Sequence, residues 1–235
     1  MASVITVFNQ KGGCGKSMTT MQLAGCYALG GLTTLVIDMD PQGTALVWSK
    51  IKPAPALRLK ATGLPFAVEN LAPMGKKMVN AVKQAFDQYD VILIDTPPAV
   101  ESEAPWAALQ VSDLAIIPFI PTPADSWADE ARLLSQKALR ENQDLRGVWH
   151  LPSVFRRGST IEGILESYRE DTEIFVTKSV IHQRDAYLFS QACGLCVGQL
   201  PRSKGGAAAD EMVALSVEIA KLAGFKLSKS KKGGK

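Results

Sequence analysis

The chain has 235 residues, 46% of them hydrophobic, which fits one globular domain, residues 1–225, ahead of a lysine-rich, disordered tail, 226–235. The formal charge of +3 is unevenly placed, because the last ten residues, "KLSKSKKGGK", hold five lysines and no acid and leave −2 on the rest. A near-neutral body with a basic end suits a nucleic acid or an anionic surface, or simply solvent, and no run approaches the roughly 18 apolar residues of a membrane span.

In chain order, "SVITVF" (3–8) reads as a buried strand. The stretch "FNQKGGCGKSMTT" (8–20) follows, a glycine-rich loop that opens a helix over 17–29. "TTLVID" (33–38) is a second strand and ends in "DMDPQG" (38–43). The proline- and lysine-rich stretch 50–72 reads mostly as loop, with one short strand at "LRLKAT" (57–62). "DVILIDTPP" (90–98) is the strongest strand, four apolar β-formers closed by an acid and a Pro-Pro stop. "DLAIIPF" (113–119), "GVWHLPSVF" (147–155) and "TEIFVTK" (172–178) are weaker ones. Helical patterns fall near 74–88, 101–110, 125–141, 160–169, 184–192 and 207–223. Strands alternating with helices of this length predict an α/β fold: a doubly wound, mostly parallel sheet with helices on both faces. "CGLC" (193–196) lacks the four ligands that zinc needs, since His150 and His182 are the only histidines, and reads as small buried residues beside a turn. No apolar, cleavable leader precedes the first strand, so the expected compartment is the cytoplasm, with reduced thiols.

The loop carries the chemistry. A helix N-terminus offers unpaired N–H groups and a positive dipole end, and glycines let backbone close around phosphates. Gly12, Gly13, Cys14, Gly15, Lys16, Ser17 and Met18 are the expected phosphate contacts. Lys16 reaches the outer phosphates and Ser17 binds Mg²⁺ in such a loop. The usual G-x-x-x-x-G-K-[ST] pattern nevertheless fails at its first position, where Gln10 stands. What replaces it is K-G-G-x-G-K-S, with a second lysine, Lys11. Asp38, Asp40 and Asp95 end strands, and strand C-termini face the ligand crevice of an open parallel sheet. They are therefore expected near Ser17, where carboxylates hold Mg²⁺ or orient an attacking water.

"KGGCGKS", "DMDPQG" and "VILIDTPP", in this order, resemble the ParA/MinD family of deviant Walker ATPases. The likeness runs further toward ParF-like plasmid partition proteins, which are short and have no N-terminal DNA-binding domain; "VSDLAIIPFIPTPAD" (111–125) and "HQRDAY" (182–187) look like their segments. Met18 departs from the threonine that often follows the Mg²⁺ ligand. The resemblance implies ATP and Mg²⁺ as ligands, with Ser17, Asp38 and Asp95 around the metal. It implies that Lys11 crosses to the nucleotide of a second subunit, so that ATP is sandwiched in a homodimer, and that Lys11, Lys16 and Asp40 serve hydrolysis. It implies non-specific DNA binding, with Arg184, Lys178 and Lys204 as candidates, a nucleoid location, and release by a cargo-bound adaptor, ParB-like or a small centromere-binding protein. Pro121 and Pro123 are guesses for the adenine. Plasmid segregation is the first expectation. A chemoreceptor cluster or microcompartment as cargo, a MinD-like membrane-recruited regulator and a metabolic P-loop enzyme are the alternatives. The membrane is disfavoured, because the helix at 207–223 sets Asp210, Glu211 and Glu218 against Lys221 alone.

Overall fold

A computed structural model describes residues 1–98, 103–122, 129–156, 158–171 and 173–227. Seven strands form one sheet: β1 (Ser3–Val7), β2 (Thr34–Asp38), β3 (Ala67–Asn70), β4 (Val91–Asp95), β5 (Leu114–Phe119), β6 (Val148–Pro152) and β7 (Phe175–Val176). Their order is β3-β2-β4-β1-β5-β6-β7, and every pair is parallel. The chain steps outward from β1 to β2 and β3, returns to insert β4, then crosses to β5 on the other side. That reversal opens a crevice above the C-terminal ends of the central strands.

The central strands are apolar on both faces because helices cover both. Val36, Val91 and Leu93 join Ile5 and Val7 in a core beneath α1 (Lys16–Leu29) and α8 (Arg202–Ala223). Their neighbours Val4, Leu35, Ile37, Ile92 and Ile94 point to the opposite side, against α3 (Met78–Ala85) and α4 (Ala104–Leu109). The remaining helices are α2 (Thr44–Lys50), α5 (Asp129–Glu141), α6 (Ser159–Glu170) and α7 (Asp185–Ala192). On α8, Ala208, Met212, Leu215, Ile219 and Ala223 recur at helical spacing and are buried, so this helix packs on the core as expected. Among the described residues no helix is long and apolar enough to cross a membrane.

Three elements differ from expectation. The edge strand lies at Ala67–Asn70, not at 57–62. Arg58 takes a left-handed conformation (φ 49°), which breaks any extended run there. Helix α8 begins five residues early, through Gly205 and Gly206. Gly205 reads as a breaker, yet a side chain there would meet Leu200 Cβ at 2.9 Å, so the glycine serves close packing. Helix α2 was not expected; its seven residues follow Gly43, and the Asp38 carboxylate accepts from Leu46 N–H in its first turn (2.9 Å). The last eight residues of the predicted tail, with Pro123, lie outside the described residues.

"CGLC" forms a turn, as read. Cys193 and Cys196 are buried and unbridged, and Gly194 has φ +64°. A Cβ on Gly194 would lie 2.0 Å from the Ile51 carbonyl oxygen. Gly194→Ala therefore combines backbone strain with a backbone clash and should cost about 3 kcal/mol in urea denaturation. An unchanged midpoint would show that this turn relaxes freely.

Candidate functional site

The sheet register builds the site. Val7 pairs with Asp95, and Asp95 with Asp38, so β1, β4 and β2 end on one row. From that row β1 runs into the loop. Asn9 pins its first limb: Nδ2 donates to the Pro118 carbonyl (2.7 Å), and Oδ1 accepts from Lys11 N–H (3.0 Å). Gly13 (φ 76°) and Gly15 (φ 91°) turn the chain through left-handed conformations into α1. No side chain caps α1 and no acid sits in its first turn, so its positive end is left for an anion. Lys16 is buried, and its ammonium donates to the Lys11 carbonyl across the loop (2.9 Å). Lys11 is exposed on the opposite limb. The two lysines thus differ in setting: Lys16 is buried against the backbone of its own loop, and Lys11 is exposed.

Asp38, Asp40 and Asp95 are all buried and close together. Both Asp38 oxygens accept from backbone, Asp40 N–H (3.0 Å) and Leu46 N–H (2.9 Å), so this carboxylate shapes the β2–α2 turn. Asp40 accepts from Gln42 N–H (2.9 Å). Asp95 is different. Its Oδ2 has no hydrogen-bond partner among the described residues, while Thr20 Oγ1 lies 3.5 Å from Oδ1 and the Ser17 hydroxyl is near enough to favour the charged carboxylate. Burial, with Asp38 and Asp40 adding repulsion, pushes its pKa up to about 7 against the pull of Ser17 and Lys16. An orphaned carboxylate oxygen beside a serine hydroxyl fits a divalent cation. No cluster of three or more acids, histidines or cysteines able to hold a metal exists among the described residues. Mg²⁺ takes one or two protein ligands and completes its shell with water and phosphate, and Ser17 with Asp95 is a donor set of that size.

One feature was not legible in the sequence. A largely apolar cavity of about 200 Å³ adjoins the loop, lined by Gly15, Met18, Val154, His182, Tyr187 and Leu188 among others. Its walls come from the β6–α6 connection and α7, segments that carry no phosphate-loop signal. Pro121 is buried and is not one of its lining residues.

Of the basic candidates, Arg184 and Lys204 line one surface cavity, and Lys178 is not among its lining residues. Arg184 is held by Glu211, which takes its Nε (2.9 Å) and a terminal nitrogen and also binds His182 Nδ1 (2.8 Å) and the Tyr187 hydroxyl (3.1 Å). Its charge is therefore compensated within the chain. Lys204 is exposed near Arg184, its ammonium 4.8 Å above the Phe189 ring. Lys178 is exposed after β7, where its backbone N–H donates to Glu218 (2.7 Å).

The state of Asp95 can be read from stability. Its folded pKa, about 7, lies above the ordinary 3.8, so its favourable contribution is present at low pH and is lost as pH rises through 7. Without nucleotide or divalent cation, Asp95→Asn should be more stable than the parent at pH 8, by at most about 4 kcal/mol. The gap should close toward pH 4. Urea denaturation at both pH values measures it, and a gap independent of pH would contradict the assignment.

Comparison with known proteins agrees with this geometry. Residues 5–195 match the CobQ/CobB/MinD/ParA nucleotide binding domain. The chain is 27% identical to the maintenance of carboxysome distribution protein A of Halothiobacillus neapolitanus, over 93% of this chain and 96% of that protein. It is 33% identical to the protein of the same name from Gloeobacter kilaueensis, where the match spans about half of that protein's length (51%). It is 28% identical to the chromosome-partitioning ATPase Soj of Treponema pallidum, over 66% of this chain and 71% of that one. The Cyanothece McdA–ATP complex shares its fold, with a TM-score of 0.70 at 15% identity, over 96% of this chain and 97% of that one. The chain belongs to the CobQ/CobB/MinD/ParA nucleotide-binding domain family.

Proposed function

We propose that this protein is an ATP-driven positioning switch: it dimerises around ATP, binds DNA without sequence preference as a dimer, and is released when a cargo-bound adaptor stimulates hydrolysis. The separation of the two loop lysines carries this reading. Lys16 is buried in its own loop and meets the nucleotide that the loop cradles. Lys11, exposed on the first limb of the loop, is the residue we assign to the nucleotide of a second copy. A cation supplied across a dimer neutralises charge that develops on the phosphates, as an arginine finger does, and makes nucleotide part of the interface.

The other residues take roles consistent with their surroundings. Backbone N–H groups of residues 12–18 receive the phosphates. Ser17 and Asp95 hold Mg²⁺, with Asp38 behind them shaping the turn that carries Asp40. The ion supplies charge neutralisation on the phosphates when bound. Asp40, at the mouth of that turn, orients the attacking water. The cavity beside Met18 and Val154 receives the base. Lys178 and Lys204 contact DNA phosphates, while Arg184, braced by Glu211, fixes the start of α7 and adds a weaker contact.

Plasmid DNA is the cargo that the ParF-like segments "VSDLAIIPFIPTPAD" and "HQRDAY" favour. A second reading has an observation of its own: the nearly end-to-end match to a carboxysome-distribution protein supports a protein compartment as cargo on the same switch. Either use takes place in the cytoplasm on the nucleoid.

Lys11→Ala should bind a fluorescent ATP analogue as the parent does, yet lose ATP-dependent dimerisation and DNA binding. Lys16→Ala should weaken nucleotide binding itself, by roughly tenfold or more for a lost charged hydrogen bond. DNA affinity of the parent should require ATP and fall steeply with salt, each neutralised phosphate adding about −0.9 to the log–log slope. Lys204→Ala should remove roughly two units of slope per dimer. Undiminished dimerisation in Lys11→Ala, or DNA binding indifferent to ATP, would sink the reading.

A further inference from the structure

The phosphate loop is fastened at a second point, and the fastener lies 139 residues away in sequence. Ser153 follows β6 and is fully buried. Its N–H donates to the Phe119 carbonyl (2.8 Å), extending the β5–β6 ladder by one step. Its hydroxyl donates to the carbonyl of Cys14, inside the loop. Cys14 is in turn tied inward, its thiol donating to the Lys11 carbonyl (3.2 Å).

We propose that Ser153 is a positioning residue for nucleotide binding: it holds the Cys14 carbonyl against β6 and so aims the Gly15 N–H at the bound phosphates. No peptide bond among the described residues is cis, and in a planar trans peptide the C=O and the following N–H point in opposite directions. Pinning the Cys14 C=O toward β6 turns the Gly15 N–H away from β6, into the hollow that the loop encloses. With Asn9 holding the first limb to Pro118, both limbs are fixed, and the exposed Gly12 and Gly13 between them are the part left to adjust. Such preorganisation removes an ordering cost that ligand binding would otherwise carry.

An independent feature marks the same spot. Val154 has φ +51°, a conformation unfavourable for a β-branched residue. Strain of this kind persists only where the surroundings over-determine it, and ligand clamps are where it collects. Here both neighbours are held. Ser153 is bound to Cys14 and Phe119, and Phe155 pairs with Ile181 and Gln183 (2.9 Å each). Val154 is forced between them, against Gly15: an added Cβ on that glycine would lie 3.7 Å from Ser153 Oγ and 3.8 Å from Val154 Cγ2. The end of β6 is thus a wall of the phosphate loop, held there at a conformational cost.

The proposal rests on the nucleotide reading, and the test separates the two. A fluorescent ATP analogue is titrated with Mg²⁺ into the parent, Ser153→Ala and Ser153→Thr, and the thermal midpoint of each is taken without nucleotide. Ser153→Ala should bind roughly tenfold more weakly, the loss expected when a hydrogen bond to a charged group is misaimed, and Ser153→Thr, which keeps the hydroxyl, should bind like the parent. A purely structural hydroxyl would lower the midpoint of Ser153→Ala and leave its affinity for the analogue unchanged; that result overturns the proposal. Should Ser153→Ala fail to fold, the parent decides by NMR. On adding ATP, the Gly15 amide proton should move downfield while the Cys14 carbonyl carbon stays put; a Cys14 carbonyl that shifts as its bond to Ser153 opens would overturn the proposal. A parent that binds no analogue would remove the nucleotide reading and this proposal with it.

Discussion

Parallel strands paired in register end together, and in this sheet Val7, Asp95 and Asp38 share one row. Everything in the site follows from that row. It places the loop after β1 beside the acid that ends β4, and it places the β2–α2 turn, with Asp40, on the far side. The row exists because β4 inserts between β1 and β2, which the chain achieves by leaving β1, going outward and coming back. A sheet wound in sequence order would have set the two acids on strands further apart.

The arrangement concentrates unfavourable terms where a ligand can relieve them. Asp95 is buried with an oxygen that lacks a partner among the described residues, and Asp38 and Asp40 lie near enough to raise its pKa. Burying a carboxylate with an unpaired oxygen is costly, and the charge of Lys16 offsets only part of that. Around the loop, Gly13 and Gly15 are left-handed and Val154 is strained. The first turn of α1 keeps its positive end unneutralised. A phosphate chain with a divalent cation would answer the unpaired carboxylate oxygen and the open helix end together. The rest of the molecule, its helices packed on both faces of a seven-stranded sheet, holds these groups in place.

Much of this was legible in the residues. Apolar runs closing on acids marked β2 and β4, and the glycine loop marked the turn from β1 into α1, because these patterns reflect local requirements. Features that depend on distant packing were not legible. Helix α2 forms because Asp38, eight residues away from Leu46, accepts from its first turn. Gly205 looks like a breaker until Leu200 is seen against it. The edge strand at Ala67–Asn70 is short and half exposed, so it carries little periodic signal. Ser153 and the cavity beside Met18 come from a part of the chain whose only distinction is its place at the end of β6. Arg184 shows the converse. Its position in "HQRDAY" suggested a DNA contact, and its bond to Glu211, 27 residues on, could not be read from that segment.

In the switch we propose, nucleotide joins two copies through the loop lysines. Light scattering on the unmodified protein with Mg²⁺-ATP, with Mg²⁺-ADP and with neither measures the joining itself. A monomer weighs 25.3 kDa. Twice that mass is expected with ATP, and the monomer mass in the other two conditions. A single mass under all three would rule the switch out.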